Sequence, residues 1–271
     1  TRQYQRLRRC KQLGHAQYVF PGATHTRFEH SLGVQHKAGK LVKRFMDNQP
    51  GLNLTAKDKL CVEIAATMHD CGHGPFSHQF EHVLHEIGKK LMQNPDASEA
   101  DIKVAKILIN WTHEDQSNKM FDCLLLANKI DLSLEENGGL DAKDIMFIKE
   151  LIRGSPLGGS EEDGFKFEGR GDDKIFLYEI VSNKRTGLDV DRFDYLQRDS
   201  QAALGKHSKT FEKLTESAIV CTDPKGRLVL AFPEDEVQGV MEVYTTRMSM
   251  YNKVYMHRKT LIIDEMVKDI L

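Results

Sequence analysis

MHDCGHGPFSH, residues 68–78, is the stretch on which the reading of this chain turns. His69 and Asp70 stand side by side at the end of a run in which Leu60, Ile64 and Met68 recur every four residues, the spacing of one helical face. Gly72, Gly74 and Pro75 then stop the helix and turn the backbone. Two adjacent side chains face one ion only across such a turn, and His73 and His78 lie on it, where they can point back over the same spot. Neutral imidazole and carboxylate both bind borderline divalent cations such as Fe, Zn or Mn, so the residue types point to a metal.

Three further clusters extend that set. In HTRFEHSLG (25–33), His30 follows Arg27 by three residues, so both project from one helical face. A guanidinium beside a ligand makes sense if the substrate brings phosphate to the ion, because arginine offers a planar fork of donors. WTHE (111–114) supplies His113. LDVDRFDYLQRD (188–199) puts Asp191, Asp194, Tyr195, Arg198 and Asp199 on one helical stripe, with Phe193 and Leu196 as its apolar flank. Asp191 completes a ligand set with His30, His69 and Asp70, and Arg192 and Arg247 add phosphate-binding capacity. On the last helix Tyr244, Arg247, Tyr251 and Tyr255 share a face that either holds a sugar and a phosphate or packs. The inventory reads as metal-assisted hydrolysis of a phosphorylated compound.

Composition narrows the class. At 271 residues, 40% hydrophobic and 29% charged, the chain is ordinary for a soluble globular protein and can bury roughly 75% of its unfolded surface. A net charge of −2 gives no global pull toward nucleic acid, so an anion site must be local. The basic cluster Arg2, Arg6, Arg8, Arg9 and Lys11 accordingly reads as a small-anion site or a solvated face before a nucleic-acid groove. Cys10, Cys61, Cys71, Cys123 and Cys221 are odd in number and lack CxxC spacing, which fits a reducing, intracellular compartment (nucleus or cytoplasm). No apolar run reaches the roughly 18 residues of a membrane span. The start, TRQYQRLRRC, lacks both an initiator Met and an apolar segment, so it reads as the edge of a domain cut from a longer protein.

Most segments read as helix. Helices are expected over 24–46 with Thr24 as N-cap, over 55–70 with TAKD as a capping box, and over 77–92, 99–111, 119–132 and 141–152. The glycine-rich acidic stretch 153–174 reads as a mobile surface loop. Helices are expected again over 174–183 and 189–203, then a hairpin over 217–232 around DPKG, then one long helix from Pro233 to the end. Neither a repeat nor a linker divides residues 1–271, so the expectation is a single catalytic domain.

KQLG (11–14), YVFPGATHTRFEHSLGV (18–34), MHDCGHGPFSH, WTHE, FLYEIVSNKR (176–185) and LDVDRFDYLQRD occur in the order and at the spacing of one family. The chain resembles the HD-domain hydrolases, and more closely the catalytic domain of the sterile-alpha-motif and HD-domain-containing deoxynucleoside triphosphate triphosphohydrolases. The resemblance implies an all-α HD fold and cleavage of a dNTP to deoxynucleoside and inorganic triphosphate, which would control dNTP pools. It implies His30, His69, Asp70 and Asp191 as ligands of one Fe, Zn or Mn ion, with Mg on the triphosphate. Arg27 would contact the α-phosphate, with Arg192 and Arg247 on the other phosphates. His113 would be catalytic, with His73 and His78 close to the scissile phosphate. Gln12 and Leu13 would meet the deoxyribose, Tyr255 would pack on it, and Tyr195 and Asp199 would help fix it, Asp199 through the 3′-hydroxyl. Leu13 and Tyr255 would leave little room for a 2′-hydroxyl.

Departures from the family pattern are also legible. The carboxylate partner of the catalytic histidine, usually Asp, aligns with Glu81, one methylene longer. An apparent helical insert occupies about 86–108, which puts the placement of His113 in question. In the human-type enzymes nucleotides bind between subunits and drive tetramer assembly. Gln5 and Arg8 match part of the GTP activator site, but Ser217, Pro233 and Asp235 stand where the second, dNTP, site has aromatic or basic residues, and only Lys213 matches. The expectation is a homo-oligomer, dimer or tetramer, whose nucleotide-driven assembly is weakened or lost. Two rival functions remain open: an HD-type phosphodiesterase or nucleotidase, and a pseudoenzyme that binds nucleotide or single-stranded nucleic acid without cleaving it.

Overall fold

Helix starts in this chain are set by short polar side chains that satisfy otherwise unpaired backbone N–H groups. The computed structural model describes residues 1–157 and 166–270. The first long helix, α1 (Arg27–Asn48), begins at Thr26 rather than Thr24, and the Glu29 carboxylate accepts from the Thr26 backbone N–H at 2.7 Å. Residues 24–26 stay extended because this strand-like segment pairs with residues 10–12: Gln12 N–H donates to His25 O (3.1 Å) and Arg27 N–H to Cys10 O (2.9 Å). Next comes α2 (Ala56–Met68), whose Thr55–Asp58 capping box is the one expected. After it α3 (His78–Gln93) and α4 (Glu99–Ile109) form the insert, with Val83, Gly88 and Ala105 buried at their contact. The helix expected over 119–132 is α5 (His113–Ala127), which starts six residues earlier because Thr112 caps it by accepting from Asp115 N–H (3.2 Å). Its neighbour α6 (Ala142–Arg153) begins at the Asp141 cap.

The stretch 153–174, expected to be a mobile loop, is anchored where it is described. Residues 158–165 lie outside the described residues. On either side, Gly154 closes α6, and residues 166–171 are pinned because the fully buried Glu150 carboxylate needs donors. Glu168 N–H (2.8 Å) and Gly169 N–H (3.0 Å) supply them, Phe167 stacks on Tyr178 at 3.7 Å, and Arg170 lies over Phe147. Arg170 also pairs with Asp58 and Asp144. The helix expected over 174–183 shrinks to a 3₁₀ stretch, Asp172–Leu177, and a single turn, Tyr178–Val181. Asn183 ends it by accepting from Arg185 and Thr186 N–H.

Chain direction then reverses into α7 (Val190–Leu204), capped by Asp189, and α8 (Thr210–Ser217). The expected hairpin is present: β1 (Ile219–Thr222) pairs antiparallel with β2 (Leu228–Ala231), Cys221 opposite Val229. The single final helix is instead broken into α9 (Val237–Met250), a π-helical turn at Tyr251–Tyr255, and α10 (Arg258–Lys268). Wide π turns of this kind re-aim side chains at functional positions, and here the break brings Tyr255 Oη to Asp199 at 2.8 Å.

The architecture is all-α with that one small hairpin. Its main core joins Val34, Leu41 and Phe45 of α1 to Val62 and Ala65 of α2 and Phe147 and Leu151 of α6. A second cluster, with Phe193 and Leu196 of α7, Phe211 of α8 and Val243 of α9, fixes the opposite side. α1 packs directly on α7, with His30 Nδ1 2.9 Å from Asp194 Oδ2 and Lys37 Nζ 3.1 Å from Gln197 Oε1.

Candidate active site

Burial leaves His69 with a defined free nitrogen and turns one nitrogen of His30 toward the same carboxylate. His69 Nδ1 lies 2.8 Å from the Ala66 carbonyl, which can only accept, so Nδ1 carries the proton and the Nε2 lone pair is free. That Nε2 is buried without a hydrogen-bond partner among the described residues. His30 Nδ1 meets Asp194 Oδ2 at 2.9 Å, which turns His30 Nε2 toward Asp191 Oδ1 at 3.0 Å. Asp191 Oδ1 is also 3.4 Å from His69 Nε2. Ligand atoms of His30, His69 and Asp191 thus lie within 4.8 Å of one another. Asp70 borders the group through both oxygens, Oδ2 at 3.5 Å from His30 Nε2 and Oδ1 at 3.6 Å from His69 Nε2, while Oδ2 also pairs with Arg27.

The electrostatics call for a cation at that point. Burial alone would lower the His30 pKa, but hydrogen bonds and charge from Asp191 and Asp194 raise it to about 10. Burial would raise the Asp191 pKa, yet His30 and His69 hold it well below the usual carboxylate range. Two imidazoles and two carboxylates, one orphaned nitrogen and a carboxylate behind the other histidine suit a divalent transition metal.

Beside this group stand three more histidines. His73 and His113 stack with ring centroids 4.0 Å apart, and His78 meets both edge-on. Their surroundings drive their pKa values apart. Burial, then the charges of Arg27 and His113, lowers His78 to about 4. Burial and then Arg27 hold His73 well below the usual imidazole range. For His113 burial works downward, but Glu81, whose Oε2 is 2.9 Å from Nδ1, and Glu114 at 3.3 Å raise it. A ring whose pKa is raised beside two whose pKa values are lowered is the arrangement of a proton donor.

The sequence left the placement of His113 in question, and the insert proves compatible with it. Glu81 reaches His113 with its longer side chain, His85 Nε2 meets the Trp111 carbonyl at 2.7 Å, and Phe80 packs edge-on against Trp111. Gly72 is essential to the approach. A Cβ there would collide with the His113 carbonyl and Ser117 N, whereas its own N–H donates to Ser117 Oγ at 2.8 Å.

One cleft of about 640 Å³ collects Arg27, His30, Asp70, His73, His78, His113 and Asp191. Gln12 and Leu13 line it from the N-terminal segment, Tyr195 and Asp199 from α7, and Arg247 and Tyr255 from the last helices. Arg192, expected on the phosphates, has its guanidinium against Gly187 and is not among the residues lining the cleft. Tyr244 turns away too, donating to the Thr186 carbonyl at 2.8 Å. Both Asp199 oxygens are engaged, Oδ1 with His25 Nε2 (2.7 Å) and Oδ2 with Tyr255 Oη (2.8 Å). Gln5 and Arg8 stand apart from the cleft. Arg8 lies 3.7 Å above Phe28 beside a separate hollow of about 550 Å³ that Lys37 and Arg198 also line.

A family model described as HD domain matches residues 27–137. The chain is 41% identical over 270 residues to the human protein named deoxynucleoside triphosphate triphosphohydrolase SAMHD1, covering 99% of this chain and 40% of that protein. It is 39% identical over 271 residues to the Danio rerio protein of that name, covering 99% and 40%. Against the SAMHD1 homolog of Dictyostelium discoideum it is 36% identical over 270 residues, covering 99% and 44%. Residues 27–137 carry the HD-domain match. The chain spans about 40% of the length of the animal relatives it matches.

Sequence reasoning did not assign three working groups. Asp194 was seen on the α7 stripe but not as the group behind His30. His25, which holds Asp199, carried as its signal only its place two residues before Arg27. Ser77, whose Oγ accepts from Arg27 Nε at 2.8 Å, carried none.

Proposed function

We propose that this chain is the catalytic domain of a metal-dependent hydrolase that cleaves deoxynucleoside triphosphates to deoxynucleoside and inorganic triphosphate. The observation that supports it most is the adjacency of the His30–His69–Asp191 group to His113, which is paired with Glu81 at 2.9 Å. The printed names of relatives up to 41% identical over nearly the whole chain point to the same reaction. His30, His69, Asp70 and Asp191 would hold one Fe, Zn or Mn ion. When bound, such an ion polarises a phosphoryl oxygen and lowers the pKa of water.

Arg27, fixed at the cleft wall, would neutralise charge growing on the α-phosphate. Water attacks the α-phosphorus, the bond to the 5′-oxygen breaks, and His113 gives its proton to that oxygen. His73 and His78, both uncharged, donate N–H hydrogen bonds to phosphate oxygens without competing as acids. Arg247 takes the outer phosphates, with Mg on the triphosphate. The deoxyribose rests among Gln12, Leu13, Tyr195 and Tyr255. Asp199 can reach a 3′-hydroxyl only while sharing its oxygens with His25 and Tyr255.

Weakened nucleotide-driven assembly belongs to the same reading. Lys213, the cation that matches the second activator site, is paired with the buried Glu236 at 2.9 Å. Gln5 and Arg8 keep a GTP-site wall, and residues 217, 233 and 235 offer no cation. We place the protein inside the cell, in nucleus or cytoplasm; no helix among the described residues is long and apolar enough to cross a membrane.

Product chromatography after anaerobic metal loading tests the function. Triphosphate and deoxyguanosine from dGTP support it. Deoxyguanosine monophosphate with pyrophosphate, or opening of a cyclic nucleotide, would favour a phosphodiesterase or nucleotidase. Binding of nucleotide or single-stranded nucleic acid without turnover would mark a pseudoenzyme.

A further inference from the structure

Two consecutive non-glycine residues of the turn before α3 have positive φ, Phe76 at +66° and Ser77 at +59°. Ser77 combines this with ψ −127°, the conformation that glycine takes at the first central position of a type II′ turn. A serine there is strained where a glycine would not be. Its hydroxyl is fully used: it is buried, donates to the Lys11 carbonyl at 2.7 Å and accepts from Arg27 Nε at 2.8 Å. Lys11 leads directly into Gln12 and Leu13 on one cleft wall, and Arg27 stands on another. Asp70 holds the guanidinium only at its far end, so loss of the Nε contact frees the plane to swing about that end.

We propose that Ser77 is a positioning residue, whose hydroxyl locks the plane of Arg27 and ties it to the Lys11–Leu13 segment so that phosphate and sugar are presented in register. This rests on the reading of the cleft as a phosphohydrolase site. The strained backbone is the consequence of needing an oxygen where the turn itself favours glycine.

Ser77→Gly and Ser77→Ala in the full chain separate the hydroxyl from the backbone. Both lack the oxygen, but only glycine relieves the turn. Ser77→Gly should melt at or above the wild-type temperature, keep its metal content, and lose about 10–100-fold in kcat with a smaller change in KM, since a misplacement of about 1 Å can cost about 10²-fold. Ser77→Ala should lose kcat equally and melt lower. A Ser77→Gly protein with wild-type kcat overturns the proposal. The crystal structure of Ser77→Gly decides independently of turnover: a guanidinium rotated away from its wild-type plane supports the role, and one unmoved with Nε unpartnered refutes it. Absence of dNTP hydrolysis in the wild type would defeat the functional reading, and the crystallographic result would still judge Ser77.

Discussion

Replacing Asp194 tests whether the carboxylate behind His30 tunes the metal group. Asp194 Oδ2 receives both His30 Nδ1 (2.9 Å) and Arg198 Nε (2.8 Å), and Oδ1 receives the other Arg198 nitrogen (3.0 Å). The His30 side chain is 1% exposed and that of Arg198 30%, so water can replace a bond lost to Arg198 but not one lost to His30. Asp194→Asn can keep its carbonyl on His30 and turn its amide toward Arg198, losing charge but not orientation. Asp194→Ala loses both. Partners of this kind are worth about 10–100-fold in metal affinity, or about 1.4–2.7 kcal/mol at 1.36 per decade. We expect the Asn variant near the lower figure and the Ala variant near the upper, by anaerobic competition with a chromophoric chelator. Once fully loaded, the Asn variant should turn over near the wild-type rate, because Asp194 does not line the cleft. Unchanged affinity in Asp194→Ala, or a larger loss in Asn than in Ala, would refute the reasoning.

Three further outcomes are expected. His113→Ala should keep its metal and lose about 10²–10⁴ in rate, whereas Asp191→Ala should lose both; equal metal content in the two variants contradicts the assignment. Because burial is outweighed by Glu81 and Glu114 in raising His113 above the ordinary 6.5, the charged acid persists past that pH. Activity that needs it, and the stability of the His113–Glu81 pair, are full below pH 6.5 and fall as pH rises through the raised value. In Glu81→Gln the basic limb of the pH–rate profile should therefore move to lower pH, and a stationary limb would show that Glu81 does not charge the ring. Arg170→Met should destabilise the fold by about 3–5 kcal/mol in urea denaturation, because it leaves Asp144 buried without its cation while Asp58 retains Lys174. A loss under about 1 kcal/mol would mean water enters the site.

Local chemistry was legible where one residue's neighbours in sequence are also its neighbours in space. Thr55–Asp58 announced α2, and the hairpin announced itself through DPKG. Prediction failed where a distant partner intervened. Thr24 lost the N-cap to Thr26 because residues 10–12 pair with 25–27, and the final helix broke where Tyr255 meets Asp199. Residues 166–171, polar and glycine-rich, are anchored by the fully buried Glu150 some eighteen positions away.

The sequence by itself determined the helical class and the identity of the metal-capable side chains, because those depend on residue type and short spacing. Only the tertiary structure decided which nitrogens of His30 and His69 turn toward Asp191, that Arg192 sits against Gly187 while Asp194 stands behind His30, and that Glu81 reaches His113 across the insert. Those outcomes depend on burial and on bonds between residues up to 164 positions apart, such as His30 to Asp194, and no local pattern carries that distance.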